Sequence, residues 1–429
     1  MRKSEKRQSV LIWNMSYAVD ADNPNLGDAA LIWSLLKTLK REIVPNPQVF
    51  LFCNHKIGED VLSSKTEVNS VEYKLTNIPI ILRTIMSCHF FILGGGEFLS
   101  DRSHRLYSVF NLIPALLAKF FGKPIIAYGI GVDDPANISL LAKVLARNVF
   151  GTKDVITVRD SVSNLAISQL GLKSIVFNVT DAAIGLVFDE RLFRNLNNIT
   201  QKENVVILAP RLPFPQIKNS YLHPLTEFLP IGLRLRRGLL PNTYLKARSK
   251  FLVDMAKIVD YLTSRYGVKC LLLPAYKGKF SYGDESICEE IKSLSNKKGQ
   301  VEVIKVHKLT DVMNLIKGAR LLIGVPLHSL ILSLIVGTPF IGLSYHPKIT
   351  KFLKETEMYD FCLHVDGFES WAEGFPLKEI FHKIDEALCD SSDISNKLAQ
   401  QLTKLVAKEQ DGVGVLKSFL GYGILGNSA

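Results

Sequence analysis

With 429 residues, 47% of them apolar, the chain is too long for one small core and suits two domains of about 200 residues each. Its 52 Lys and Arg residues outnumber 41 Asp and Glu residues, which gives a net charge of +11. This excess has two interpretations: solvated lysines, or an anionic partner such as a phosphorylated substrate, an anionic glycan or a membrane surface. No block of Lys and Arg with interleaved aromatic residues occurs, so we expect no nucleic-acid partner.

The cysteines and the apolar runs indicate the cellular compartment in which the protein is expected. Six cysteines are scattered without a Cys-x-x-Cys pair or a Cys/His zinc spacing, which predicts no metal site and a reducing environment. The first apolar run ends at Asn14, too early for a secretory signal. A long uncharged stretch is interrupted by Pro326, Gly337 and Pro339, which favours strands and a helix over a membrane span. We therefore expect a cytoplasmic protein with at most peripheral membrane contact.

Short apolar strands alternate with amphipathic helices in the first half of the chain. Such alternation is typical of a doubly wound parallel sheet. We assign residues 1–190 to an N-terminal Rossmann-like domain. Its predicted strands are 9–13, 49–53, 88–93, 124–128, 155–158 and 174–179, and its predicted helices are 28–39, 105–121 and 161–170.

The same pattern restarts after a polar stretch, 189–203, which we interpret as an irregular linker. Residues 204–429 form a predicted second Rossmann-like domain, with a basic, proline-rich insertion at about 211–243. That insertion is either solvated, or a basic lid or membrane-facing patch for an anionic substrate such as a lipid-linked one. The predicted strands here are 205–208, 269–273, 301–306, 321–325 and 340–343, and the predicted helices are 244–266 and 284–294.

Polar and glycine-rich motifs follow strands of the first domain, where parallel sheets place ligand groups. Asn25-Leu26-Gly27-Asp28 opens a helix, and its Asp28 is predicted to cap that helix. Gly94-Gly95-Gly96-Glu97 is either an anion-binding nest of backbone amides or a packing turn. Gly129-Ile130-Gly131 is predicted to be a second glycine loop. Arg159-Asp160 is interpreted as a surface arginine before a capping aspartate, or as part of the site.

Three cationic or titratable residues follow strands of the second domain. Arg211 ends the first of them and can bind a carboxylate or phosphate bidentately. His328 is predicted to lie in a short loop after residues 321–325, and Lys348 follows residues 340–343. One edge of the sheet would receive all three, which indicates chemistry on an anionic substrate. A core histidine bonded to backbone is the alternative for His328.

The second-domain motif resembles the signature of the polysaccharide pyruvyltransferases. In that family a strand runs into Arg-Leu-His, then an apolar helix, Gly-x-Pro, a strand and Tyr-Asp-Pro-Lys. The matching segments are Leu327-His328, Gly337-Thr338-Pro339, and Tyr345 with Pro347-Lys348. Two positions depart, because Pro326 replaces the family arginine and His346 replaces the aspartate.

This resemblance implies a GT-B-like α/β fold, two Rossmann-like domains facing a cleft, and transfer of pyruvate from phosphoenolpyruvate to a sugar. No cofactor is implied beyond the donor. His328 would be the acid or a phosphate partner, while Arg211, Leu327 and Lys348 would bind the donor. Asp28 would act as base toward an acceptor hydroxyl. The other acceptor-side residues would be Asn25, Gly27, Gly94, Gly95, Gly96, Glu97 and Arg159.

Because Pro326 lacks the hydrogen-bond donors that the family arginine supplies, two alternatives to the pyruvyltransferase function stay open. Lys277, Lys279 or Arg320 could replace that arginine. Otherwise the chain is a GT-B glycosyltransferase using a nucleotide sugar, or an inactive glycan-binding homologue. The sequence specifies neither the acceptor, which is a polymer, a lipid-linked unit or a glycoside, nor the oligomeric state.

Overall fold

The polypeptide folds into two compact units, each built around a parallel β-sheet. The computed structural model describes residues 8–14, 25–43, 46–53, 68–101, 106–212, 242–276, 283–305, 308–344, 347–364 and 374–425. One unit comprises the described residues within Met1–Glu190 and Lys404–Ala429, and the other those within Arg191–Thr403. The predicted assignment of 204–429 to one domain therefore differs from the structure, because the chain returns to the first unit at Lys404.

In the first unit the described residues form an eight-stranded parallel sheet. Strand order is β3-β2-β1-β4-β6-β7-β8, and β5 pairs with β6. Near-continuous apolar runs such as 90–93 are buried throughout, as expected for a parallel sheet covered on both faces. The strands are β1 Ser9–Trp13, β2 Gln48–Cys53, β3 Val68–Glu72, β4 Phe90–Leu93, β5 Gly96–Leu99, β6 Ile125–Val132, β7 Val155–Val158 and β8 Ile175–Asn178.

Helices of the first unit divide into two sets. Four of them share one hydrophobic core with the sheet, whereas α1 lies outside that core and packs against the short 3-10 segment Ala182–Phe188. The helices are α1 Leu26–Glu42, α2 Ile78–Ser87, α3 Tyr107–Phe120, α4 Leu140–Val149 and α5 Ser161–Leu170, with further 3-10 turns at Leu75–Asn77 and Pro135–Asn137.

The second unit contains a six-stranded parallel sheet of order β11-β10-β9-β12-β13-β14 in its described part. Its strands are β9 Val205–Ala209, β10 Lys269–Leu272, β11 Val301–Val303, β12 Leu321–Gly324, β13 Phe340–Ser344 and β14 Cys362–His364. Its helices are α6 Glu190–Asn197, α7 Asn242–Tyr266, α8 Asp284–Leu294, α9 Leu309–Gly318, α10 Leu327–Val336, α11 Pro347–Glu355 and α12 Leu377–Cys389, with 3-10 turns at Lys298–Gln300 and Tyr359–Phe361. The last helix, α13 Ser391–Leu425, begins in this unit and continues into the first unit from Lys404.

The predictions of an irregular linker and of a second glycine loop are wrong. The predicted irregular linker contains α6, which buries Leu192 and Leu196 at helical spacing. The predicted loop around Gly129 is the middle of β6, where Gly129 has φ +62° and the pairing with β7 shifts register. Such a bulge needs a residue that tolerates positive φ, which explains a glycine inside a strand. Most of the basic insertion, residues 213–241, lies outside the described residues.

The last helix ties the carboxyl-terminal residues to the first unit through polar and aromatic contacts. Lys417 Nζ lies 3.0 Å from Glu42 Oε2. Phe419 and Phe90 meet edge to face with ring centroids 5.6 Å apart. The part of α13 from Lys404 onward is thus part of the fold of the first unit.

Candidate functional site

Asn25, rather than Asp28, caps α1. The Asn25 side chain accepts a hydrogen bond of 3.2 Å from the Gly27 amide, so the predicted cap assignment of Asp28 is wrong. Asp28 instead lies buried in the first helical turn, where the helix dipole favours a carboxylate. A Cβ atom on Gly96 would lie 3.9 Å from Asp28 Oδ1. The structure therefore brings this carboxylate beside the glycine motif that follows β4.

Close packing explains the glycine motif itself. A Cβ on Gly95 would lie 3.0 Å from Leu31 Cδ2 and 3.3 Å from the Gly129 carbonyl oxygen, tighter than ordinary van der Waals contact. The Gly95 carbonyl accepts a hydrogen bond of 3.1 Å from Asn14 Nδ2. Gly96 has φ +111° and leads directly into β5, which also contains Glu97. Of the two interpretations given by the sequence, this geometry favours the packing turn.

Arg159 is buried at the end of β7, so its interpretation as a surface residue is wrong. Its Nη1 atom lies 3.1 Å from Asp181 Oδ2, and its Nε lies 3.7 Å from Asp160 Oδ2. Burial alone would lower the pKa of Arg159, but the carboxylates of Asp181, Asp160 and Glu97 outweigh it, so that pKa is raised. A Cβ on Gly131 would lie 2.7 Å from Arg159 Nη2, so a glycine is needed there for the guanidinium to pass.

Asp160 does cap α5, as the sequence predicts. Its Oδ1 accepts a hydrogen bond of 2.6 Å from the Ser163 amide. Asp181 caps the next 3-10 segment in the same way, accepting from the Ala183 amide at 3.1 Å. The two capping aspartates, Asp160 and Asp181, thus form a fixed polar cluster with Arg159 at the carboxyl edge of the first sheet.

Sequence reasoning missed Glu409, the buried carboxyl of α13. Its Oε1 accepts a hydrogen bond of 2.8 Å from the Tyr128 hydroxyl, and the residue is 1% exposed. Burial raises the pKa of Glu409 well above its ordinary range, and nearby Asp181 adds to that shift. The contact joins residues 281 positions apart, and a single glutamate in an amphipathic helix gives no sequence signal for such a partner.

Arg211 lies two residues beyond β9, at the carboxyl end of a central strand. Its Nη2 and Nε atoms lie 3.0 Å and 3.2 Å from Asp284 Oδ2. Burial raises the pKa of Asp284 above its ordinary value, although Arg211 opposes that shift. The guanidinium carbon also lies 5.7 Å from the centre of the Tyr276 ring. These contacts hold the Arg211 guanidinium in one orientation at the sheet edge.

His328 lies in the first turn of α10, not in the loop predicted from the sequence. The helix begins at Leu327, and Pro326 occupies the cap position with φ −71°. This angle is within the range that the proline ring imposes, so Pro326 fits the cap without strain. Ser329 Oγ donates a hydrogen bond of 2.6 Å to the Pro326 carbonyl, which stabilises the turn. The His328 side chain is half-buried there.

Strand register places Arg211, His328 and Lys348 at one edge of the second sheet. Gly324 of β12 is paired with Ala209 of β9 and with Gly342 of β13. The three residues follow these adjacent parallel strands, and Lys348 is half-buried in the first turn of α11. Tyr345 and His346 lie outside the described residues.

Of the three proposed replacements for the family arginine, Arg320 is wrong. It precedes β12 and therefore lies at the amino edge of the sheet, where its Nη1 donates to Asn204 Oδ1 at 3.1 Å. Lys277 and Lys279 lie outside the described residues. No group of three or more His, Cys, Asp or Glu side chains among the described residues could hold a metal ion. In that same part of the chain, no helix combines the length and apolar character that crossing a membrane requires.

A family model described as polysaccharide pyruvyl transferase matches residues 25–347. The match begins at Asn25, includes Arg211 and His328, and ends one residue before Lys348. Comparison with curated proteins gives no match.

Solved structures of low sequence identity share the fold. MnaA from S. aureus, solved with UDP, is 12% identical over 92% of this chain and 91% of its own, with a TM-score of 0.54. Anabaena HepE in complex with UDP-glucose is 13% identical over 96% of this chain and 100% of its own, also at 0.54. UDP-GlcNAc 2-epimerase from Neisseria meningitidis is 11% identical over 94% and 98%, at 0.53. These similarities confirm the predicted GT-B-like α/β fold class.

Proposed function

The chain belongs to the polysaccharide pyruvyl transferase family, and we propose that it moves pyruvate from phosphoenolpyruvate to two hydroxyls of one sugar. The acceptor is a cell-surface polysaccharide or its precursor, and the products are a cyclic pyruvate ketal and inorganic phosphate. The family match over 25–347, together with three cationic or titratable residues at one sheet edge inside or beside that range, is the observation that supports this proposal.

Each step of this reaction makes a demand on the protein. A proton adds to the methylene carbon of the donor, and the resulting oxocarbenium character at C2 allows the first sugar hydroxyl to add and lose its proton. Phosphate then leaves with the C2–O electron pair, and the second hydroxyl adds and loses its proton. The protein must therefore supply an acid, a base and cations for the carboxylate and phosphate. No redox step occurs, so the proposal includes no redox cofactor.

The second unit supplies the donor side of the proposal. Arg211 can form a bidentate contact with an anion, and Asp284 fixes its orientation. His328 and Lys348 lie in the first turns of α10 and α11, where the helix dipole favours an anion. We assign the acid or phosphate-binding role to His328 and donor binding to Arg211, Lys348 and Leu327.

The first unit supplies the acceptor side. Asp28 is buried at the amino end of α1 and is assigned the role of base toward a sugar hydroxyl. Asn25 and Gly27 shape the turn in front of it, and Gly94–Glu97 and Arg159 form the surrounding edge of the first sheet. Arg159 already has two carboxylate partners, so its contribution is to hold the site in shape.

The test is phosphate release from phosphoenolpyruvate in the presence of a panel of saccharides, with the ketal methyl group followed by proton NMR. Wild type and His382→Ala, an exposed histidine of α12, should both react, whereas His328→Ala should lose at least 100-fold in rate, since general acid catalysis contributes about 100–10,000-fold. Full turnover by His328→Ala would contradict the assignment. Turnover of a nucleotide sugar instead of phosphoenolpyruvate would indicate the glycosyltransferase. Glycan binding without turnover of any donor would indicate the inactive homologue.

A further inference from the structure

Among the described residues, exposed apolar side chains concentrate on one helical layer of the first unit. This layer consists of α2, α3, α4 and α5 with the turn Leu75–Asn77, and we call its outer side the helical face. Among the described residues of the second unit, large apolar side chains are exposed only at Leu245, Leu294 and Tyr359. On the helical face they are Leu75, Ile78, Ile80, Met86, Phe110, Ile113, Phe120, Leu140, Leu141, Val144, Val162 and Leu165.

The four helices lie side by side, so these residues form one surface. Their inward sides contribute to a single core with the sheet. Lys123 Nζ donates to the Met86 carbonyl at 2.7 Å, which joins the end of α2 to the end of α3. Asp101 accepts from the amides of Ser108 and Ser139, both at 2.8 Å, which ties the starts of α3 and α4. Arg147 Nε donates to the carbonyl of residue 170 at 2.9 Å, which joins α4 to α5.

The exposure is large for individual residues and follows helical spacing. Phe120 is 81% exposed, Leu140 75% and Leu165 60%, and such exposure is informative where the side chains form a patch. On α3 the exposed Phe110, Ile113 and Phe120 recur at intervals that fall on one side of a helix. A contiguous apolar surface of this kind marks an interaction site rather than isolated surface residues.

Ile175 and Phe177 are exposed but belong to a different side of the sheet. Between them, Val176 packs against the core that the four helices share. Since successive residues of a strand point to opposite faces, Ile175 and Phe177 face away from the helical face. Among the described residues of the first unit, the surface is thus confined to the four helices and the turn Leu75–Asn77.

Every charged residue of the four helices is basic. Their sequences contain Arg83, Lys119, Lys143 and Arg147 and no Asp or Glu. Lys119 is neutralised by the buried Asp154, whereas Arg83 and Arg147 are exposed and Lys143 is half-buried. The four helices therefore combine exposed apolar side chains with basic residues and carry no acidic ones.

We propose that the helical face binds the surface of a membrane containing anionic lipids. Apolar side chains with basic residues beside them are the composition of protein surfaces that lie in the headgroup region. A second copy of the chain fits less well, because a twofold interface would set Arg83, Lys143 and Arg147 against the same cationic patch. The inference goes beyond the proposed reaction and does not depend on the donor or the acceptor.

Vesicle co-sedimentation without any substrate tests this proposal. The probes are vesicles of phosphatidylcholine alone and vesicles with an equal amount of phosphatidylglycerol. Wild type should bind the anionic vesicles more tightly, and added salt should weaken that binding. Neutralising two cations in Arg83→Gln/Lys143→Gln should reduce the affinity on the order of 30-fold. The charge-matched control Lys297→Gln/Lys298→Gln, from exposed positions of the second unit, should bind like wild type.

The apolar part is tested by Phe120→Glu/Leu140→Glu, with Leu294→Glu as its control. The double variant should lose at least tenfold in affinity for anionic vesicles, while the control, 47% exposed in the second unit, should retain it. Because all these side chains are exposed, melting temperatures should remain near that of wild type. Vesicle binding by the helical-face variants that equals wild type would overturn the proposal. Failure of the wild type to bind anionic vesicles would also overturn it. The same holds if the only effect of the substitutions is to dissociate an oligomer that the protein forms without vesicles.

Discussion

Replacing Glu409 by glutamine removes an ionisable group from a site that excludes water, and we expect the variant to become progressively more stable than wild type as pH rises. Tyr128 donates a hydrogen bond of 2.8 Å to Glu409 Oε1, which a glutamine oxygen can also accept. Burial, with a smaller contribution from Asp181, raises the pKa of Glu409 well above its ordinary value of 4.5. The folded chain therefore keeps a proton that the unfolded chain loses.

The magnitude follows from that one proton. Between pH 4.5 and the raised pKa, the folded state binds one proton more than the unfolded state at this site. Raising the pH across this window costs the wild type about 1.4 kcal/mol of stability per pH unit through Glu409, and glutamine does not titrate. For a unit of this size the difference in melting temperature should grow by roughly 3–6 °C per pH unit.

Scanning calorimetry of wild type, Glu409→Gln and the control Glu289→Gln at about pH 5, 6 and 7 measures this difference. Glu289 is an exposed residue of α8, so its variant should follow the wild-type pH dependence. A Glu409→Gln advantage that stays constant, or that shrinks as pH rises, would refute the account of Glu409 as a proton-bearing carboxyl in the folded state.

Three further outcomes are expected. Gly131→Ala should destabilise the first unit by about 1–3 kcal/mol in urea unfolding, because its Cβ would meet the paired Arg159 guanidinium at 2.7 Å; unchanged stability would contradict the packing described. Gly414→Ala, in α13 with no atom within 4 Å of the new Cβ, should instead stabilise by about 1 kcal/mol, and a loss would show an unrecognised contact. Asp284→Asn keeps the Arg211 cation but removes its charged partner, so it should weaken donor binding. Calorimetric titration should show a raised dissociation constant for phosphoenolpyruvate, and an unchanged dissociation constant would contradict this role of Asp284.

The sequence was sufficient to predict the helices whose bounds depend on local pattern. The helix Ser161–Leu170 and the helix Asp284–Leu294 have the predicted bounds, because a turn residue precedes each and apolar spacing continues to the end. The strand β3 was not predicted, since its sequence Val-Asn-Ser-Val-Glu forms a partly exposed edge strand without an apolar run. The return of the chain to the first unit at Lys404 was also missed, because that packing depends on distant residues.

In the candidate site, the sequence predicted which residues follow strands, but it did not predict the ion-pair and hydrogen-bond partners of those residues. Arg211 could be found because it directly follows a buried strand, but its partner Asp284 resembles any acidic residue in a first helical turn. Asp28 was mistaken for a cap because Asn25, three residues earlier, can fill the same role. Arg159 was interpreted as a surface residue because its counter-charge, Asp181, follows a different strand.

The central claim is that the edge of the second sheet binds phosphoenolpyruvate through Arg211, and ligand-induced thermal stabilisation tests it most directly. A ligand at about 100 times its dissociation constant adds about 2.7 kcal/mol to the stability of the unit that binds it. Phosphoenolpyruvate should stabilise wild type and Arg320→Ala, whose arginine lies at the opposite edge of the same sheet. Arg211→Lys keeps the positive charge beside Asp284 but lacks the bidentate guanidinium. Phosphoenolpyruvate should therefore leave the melting temperature of this variant nearly unchanged. Equal stabilisation of Arg211→Lys and wild type, or stabilisation of wild type by nucleotide sugars alone, would contradict the claim.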